Sequence, residues 1–157
     1  MDRRLYVLFR TLGHSPAAER AVRAFSKLGE HGLGWQAVAL AGAALDERRR
    51  PAWLRAWATI AGSFAANQAV KLVVRRARPD LPGLPPLTHT LSNRSYPSAH
   101  ATTSAAAAGA LRGMLPAPPL YAAAVAMSLS RLYLGVHWPS DTAAGFALGA
   151  AVAELRS

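Results

Sequence analysis

A chain of 157 residues has room for one domain, and one with 52% hydrophobic but only 17% charged residues is apolar for a small soluble protein. The absence of cysteine excludes disulfides and thiolate metal sites. A formal net charge of +10 suits either a nucleic-acid binder or a protein lying against anionic headgroups. The cations cluster beside apolar runs instead of covering a polar face, which points to a membrane and away from nucleic acid.

Residues 1–27 set Arg3, Arg4, Arg10, Arg20, Arg23 and Lys27 among Leu5, Val7, Leu8, Phe9, Val22 and Phe25. No apolar run here is long enough to span a bilayer, and Arg10 interrupts what would be the core of a signal peptide. This segment is predicted to be an amphipathic helix lying on the membrane. Five apolar segments follow, at about 28–45, 53–74, 101–115, 120–136 and 142–155. They are separated by the charged loop Asp46–Pro51, by a Pro-, Gly- and Ser-rich stretch over 80–97, and by Pro116, Pro118 and Pro119. The expected fold is all-α: an integral-membrane helical bundle of about five transmembrane helices, with residues 28–157 as one membrane-embedded domain. Such a chain would be a multi-pass protein of the cell membrane.

Three polar clusters interrupt these apolar segments: Lys71 to Pro79, Pro97 to His100, and Ser130-Arg131 with His137 and Asp141. Lys71 and Arg78 are seven residues apart, so both are expected on one helix face at the end of the second span, before Pro79 stops it. Ser130 and His137 have the same spacing. Spans two and four run in one direction and the second cluster opens span three, so connectivity brings all three clusters to one end of the bundle.

The residue types suit an oxyanion. Guanidinium groups grip phosphate oxygens in pairs, which gives Arg78 and Arg131, with Lys71, the task of neutralising a phosphoryl group. Ser98 and the N–H groups of Ala99 and His100 stand at a predicted helix N-terminus, itself an anion site. His137 can attack phosphorus, with Asp141 fixing its tautomer, and His100 can protonate the departing oxygen. Two histidines and one carboxylate under-supply a divalent metal. No metal and no cofactor is therefore expected.

The pattern K-x6-R-P, P-S-x-H, S-R-x5-H-x3-D resembles the three-part signature of the type-2 phosphatidic acid phosphatases, shared with the vanadium haloperoxidases, over about residues 50–157. The resemblance implies a lipid phosphate phosphatase working through a phosphohistidine. It assigns phosphate binding to Lys71, Arg78, Ser98 and Arg131, general acid to His100, and the nucleophile to His137 held by Asp141. Ala99 departs from the glycine usual at its position, and because alanine disfavours positive φ a slightly altered pocket is expected. Within the family, Gly29–Trp35 and Ser95–Thr102 resemble actinobacterial decaprenylphosphoryl-phosphoribose phosphatases, which implies a polyprenyl-linked sugar phosphate as substrate. A polyprenyl-diphosphate or phosphatidyl-phosphate phosphatase is the alternative, and a non-enzymatic basic membrane protein a distant one.

Outside the motifs, Glu30 and His31 stand where the first span would begin at the catalytic face, in reach of a substrate headgroup. Arg75 and Arg76 read as headgroup contacts, Asn67 and Gln68 as interior packing, and His14 and His89 as surface residues. Gly145 and Gly149 form a G-x-x-x-G that permits close helix approach.

Overall fold

In the computed structural model, which describes residues 1–156, the chain forms seven α-helices: α1 Asp2–Thr11, α2 Pro16–Lys27, α3 Leu33–Leu45, α4 Arg50–Val74, α5 Ala99–Leu111, α6 Ala117–Tyr133 and α7 Pro139–Glu154. No strand occurs among the described residues. The five apolar segments are α3 to α7. Among the described residues no helix is long and apolar enough to cross a membrane. The reason differs between helices: α3 and α5 have only 13 residues each, while α4 has 25 but carries Arg50, Arg55, Asn67, Gln68 and Lys71.

The N-terminal segment is two helices where one was expected. Gly13 turns the chain at φ 71°, and Ser15 then caps α2, its Oγ accepting from the Ala18 N–H at 3.2 Å, with Pro16 at the first helical position. Both helices fold back onto the bundle. Tyr6 is fully buried, and its hydroxyl donates to the Gly135 carbonyl at 3.3 Å. Arg10, also buried, donates to the carbonyls of Pro85 at 2.7 Å and Tyr133 at 3.3 Å. His14, expected at the surface, stacks on Tyr133 with ring centroids 4.0 Å apart.

Helix α5 is the axis of the bundle. Every residue from His100 to Ala108 is buried, and α4, α6 and α7 all pack on it. Small side chains make this possible, since Ala, Ser, Thr and Gly let helix backbones approach closely. A Cβ added at Gly145 would stand 2.5 Å from the Ser98 carbonyl oxygen, and one at Gly149 would collide with the Thr102 carbonyl oxygen. The G-x-x-x-G of α7 therefore seats it on α5 within this one chain. At the opposite end from the polar clusters, Trp53, Ile60 and Leu111 pack among Ala39, Ala43, Ala56, Ala107 and Ala108. There the Trp53 indole N–H donates to Asp46 at 3.2 Å.

Candidate active site

The first cluster reaches the site by a turn, not by a helix face. α4 ends at Val74, where Arg75 takes the left-handed conformation at φ 51° and returns its N–H to the Lys71 carbonyl at 3.3 Å. Arg78 thus lies off the helix, contrary to the seven-residue spacing. The chain doubles back so that Ala77 pairs antiparallel with Arg94, and the Ser95 N–H donates to the Arg76 carbonyl at 2.8 Å. That hairpin holds Arg78 by its Nε on the Ser92 carbonyl at 2.7 Å and its Nη1 on the Val136 carbonyl at 2.6 Å. Lys71, still on α4, donates to the Arg94 carbonyl at 3.1 Å.

In the second cluster, Ser98 and Ala99 open α5. Ala99 sits in ordinary helical conformation, since among the described residues only His31 and Arg75 are non-glycine residues with positive φ. The expected strain from replacing glycine is therefore absent. Asn67 fixes the entry to this helix, donating to the Pro97 carbonyl at 3.2 Å and to Thr102 Oγ1 at 2.9 Å. The Ser98 N–H donates to the Asp141 carbonyl at 2.9 Å, which ties the second cluster to the third through backbone. Ser98 Oγ is buried with no hydrogen-bond partner, beside the first-turn N–H groups of α5, which have no helical acceptors.

The third cluster also leaves its helix early: α6 stops at Tyr133, so Arg131 is helical and His137 lies in the link to α7. His137 Nε2 is 3.3 Å from Arg78 Nη1, and it accepts there because a guanidinium can only donate. The proton is thereby left on Nδ1, which faces Asp141 Oδ2 at 3.6 Å. That is too long for a hydrogen bond, and Nδ1 has no partner in this state. Asp141 Oδ2 instead accepts from the Trp138 N–H at 2.8 Å, the third helical residue reaching back to the cap of α7. Burial, then the Arg78, Arg131 and Lys71 cations, hold the His137 pKa well below its usual value, so the ring is neutral at neutral pH. Burial also lowers the Arg78 pKa to about 10, where it remains a cation.

These elements enclose a cavity of about 310 Å³. Its wall includes Lys71, Arg78, Ala99, His100, Arg131 and His137, with Glu30 and His31 at the rim. Ser98 and Asp141 stand directly behind that wall. A larger apolar groove of about 480 Å³ opens between the N-terminal helices and α6, but no cation or histidine lines it. The charged and histidine side chains of the three clusters gather at the smaller cavity.

Sequence reasoning missed three features. Arg76, read as a headgroup contact, turns inward and donates to Asp141 Oδ1 at 2.9 Å, with its other nitrogen on Asp2 at 2.8 Å. Asp2 in turn accepts from the Ser140 N–H at 3.0 Å. His89, read as a surface residue, is exposed yet lines the cavity beside Thr90 and Ser92, and Gln68 lines it too. Finally, Ser26 of α2 touches both His100 and Arg131. The position of Arg76 inside the first cluster was the one available signal; nothing local marks Ser26 or His89.

The chain belongs to the PAP2 superfamily, whose family model matches residues 52–156, the stretch that carries all three clusters, and it is a lipid phosphate phosphatase. It is 45% identical over 141 residues to the decaprenylphosphoryl-5-phosphoribose phosphatase of Mycobacterium tuberculosis, covering 89% of this chain and 79% of that protein. The enzyme of that name from Mycolicibacterium smegmatis is 44% identical over 139 residues, with 85% and 74% covered. Among solved structures, the transmembrane PAP2-type phosphatidylglycerolphosphate phosphatase of Bacillus subtilis superposes with a TM-score of 0.82 at 25% identity, covering 99% of this chain and 82% of that one. LpxE of Aquifex aeolicus gives 0.84 at 20% identity, with 99% and 93% covered, and shares the fold.

Proposed function

We propose that this chain is a multi-pass membrane enzyme that removes the terminal phosphate of decaprenylphosphoryl-5-phosphoribose. The observation that carries the substrate is the 45% identity, over 89% of the chain, to a phosphatase of that name. The cavity supports it with polar groups at the rim, Glu30, His31, Gln68 and Thr90, which suit sugar hydroxyls better than an acyl glycerol.

In the proposed reaction, Lys71, Arg78 and Arg131 take the phosphoryl oxygens together with Ser98 Oγ and the first N–H groups of α5, from Ala99 and His100. Arg78 exchanges its hold on His137 for the substrate, which frees the Nε2 lone pair. Nε2 attacks phosphorus, the P–O bond to ribose breaks, and His100 gives the departing oxygen its proton. Asp141 closes on Nδ1–H as His137 becomes cationic, because catalytic hydrogen bonds that are long in the free enzyme tighten when substrate binds. Because the Ser26 carbonyl accepts from His100 Nε2–H at 3.1 Å, the proton given is a second one on Nδ1, so His100 acts as an imidazolium, a form that the bound phosphoryl anion favours. Water then displaces phosphate from His137 with His100 as base, which restores both residues.

Phosphate release in detergent from decaprenylphosphoryl-5-phosphoribose, undecaprenyl diphosphate and phosphatidic acid, each with EDTA present, tests this reading. The expected result is the highest kcat/KM for the first lipid and no loss to the chelator. A preference for either other lipid rejects the substrate; activity that EDTA abolishes and a divalent ion restores rejects the mechanism.

A further inference from the structure

Ser26 stands in the last turn of α2, outside residues 52–156 that the family model matches, and is 2% exposed. Arg131 Nη1 donates to its hydroxyl at 2.5 Å. Its carbonyl, one of the four that a helix C-terminus leaves without an intrahelical partner, meets His100 Nε2 at 3.1 Å and also accepts from the Gly29 N–H at 3.0 Å. The chain just beyond is pressed against the same histidine: a Cβ at Gly29 would stand 2.7 Å from His100 Cδ2 and 2.6 Å from Met127 Sδ. The end of α2 is therefore a wall of the site and not a peripheral helix.

A guanidinium has five N–H donors in a rigid planar fork. With Nη1 anchored on Ser26, the plane of Arg131 is fixed, and Nε, buried without a partner, presents with Nη2 the edge that pairs with two oxygens of one phosphoryl group. Without that anchor the same cation stays in place but its edge is free to turn. We propose that Ser26 is a positioning residue for phosphoryl binding, its hydroxyl setting the orientation in which Arg131 receives the phosphate.

The proposal rests on the phosphatase chemistry of this site and is independent of which lipid carries the phosphate. Its test compares Ser26→Ala, Ser26→Cys and Ser26→Thr for inhibition by orthovanadate, product inhibition by inorganic phosphate, KM, kcat and the thermal midpoint. Alanine removes the acceptor, cysteine keeps the volume with a poor acceptor, and threonine keeps the hydroxyl. The expected result is a rise in both inhibition constants of about tenfold to a hundredfold in the alanine and cysteine variants, largely recovered by threonine, with the cysteine midpoint close to wild type. Wild-type constants in the cysteine variant would overturn the proposal and leave Ser26 a packing residue. A wild-type enzyme that neither vanadate nor phosphate inhibits would overturn the phosphate site itself and this inference with it, so the two failures are distinguishable.

Discussion

The two ends of the bundle are built on the same helices from opposite materials. Along α5, Ala107, Ala108 and Leu111 pack with Trp53, Ile60 and the alanines of α3 and α4, whereas His100 to Ser104, one to two turns earlier, bury a histidine, two threonines and a serine. The apolar end is held by close packing of small groups and would be content empty. The polar end gathers Lys71, Arg78 and Arg131 around a cavity, and like charges in a partly dry space repel unless an anion separates them. Stability is thus concentrated at one end and, in the proposed mechanism, function at the other. Single changes can pull the two apart.

The largest separation is expected from His137→Ala, which should cut turnover by at least about 10⁴-fold while the thermal midpoint in detergent stays near wild type; retained activity would remove the nucleophile from this site. Trp53→Ala should do the reverse, costing about 3–5 kcal/mol of stability in chemical denaturation with kcat/KM unchanged at temperatures where the protein is folded. Vanadate at about a hundred times its dissociation constant should raise stability by about 2.7 kcal/mol, because it places an anion among Lys71, Arg78 and Arg131, and the gain should vanish in Lys71→Met. Arg76→Gln should lower kcat about tenfold to a hundredfold by releasing Asp141 Oδ1, while Arg75→Gln, whose side chain is exposed and donates to the Leu72 carbonyl of its own helix, should leave kcat as it is.

The smallest expected effect is in pH. The folded-state pKa of His137 lies below the ordinary 6.5, so as pH falls through that value the unfolded chain takes up a proton that the folded chain does not. The contribution of this residue to stability is full above about 6.5 and is lost as pH falls toward the folded value. The acid limb of kcat/KM for the nucleophile should accordingly lie below 6.5. An acid limb of kcat/KM at or above 6.5 would place the ring in a wetter site than the structure shows.

How much of this was legible in sequence depends on where each residue is held. The helices and the gathering of the three clusters at one end could be read because hydrophobic runs and connectivity are local and topological facts. The helical spacing of Lys71 with Arg78 gave the right company for a wrong reason, while that of Ser130 with His137 did not hold, since Ser130 lines the apolar groove and not the cavity. In both pairs the second residue reaches the cavity through a turn, at Arg75 and at Gly135, so the seven-residue period was incidental. Arg76, Ser26 and Asp2 were not legible as site residues, since each acts through a partner between 64 and 138 positions away in the chain. The amphipathic pattern of residues 1–27 says that one face is polar, but not that Arg10 and Tyr6 turn their polar groups inward.

The glycines that seat α7 on α5 have a consequence for how this enzyme can change over evolutionary time. With Gly145 against the Ser98 carbonyl, Gly149 against that of Thr102 and the Ser98 N–H on the Asp141 carbonyl, the second and third clusters form one rigid block with no tolerance for an added methyl group. The rim residues Glu30, His31 and His89 to Ser92 belong to a turn and a loop outside that block. In the proposed mechanism, drift in those few positions exchanges one headgroup for another while the phosphoryl-transfer residues stay untouched. A lineage carrying this scaffold is therefore free to diversify its lipids without reinventing its chemistry.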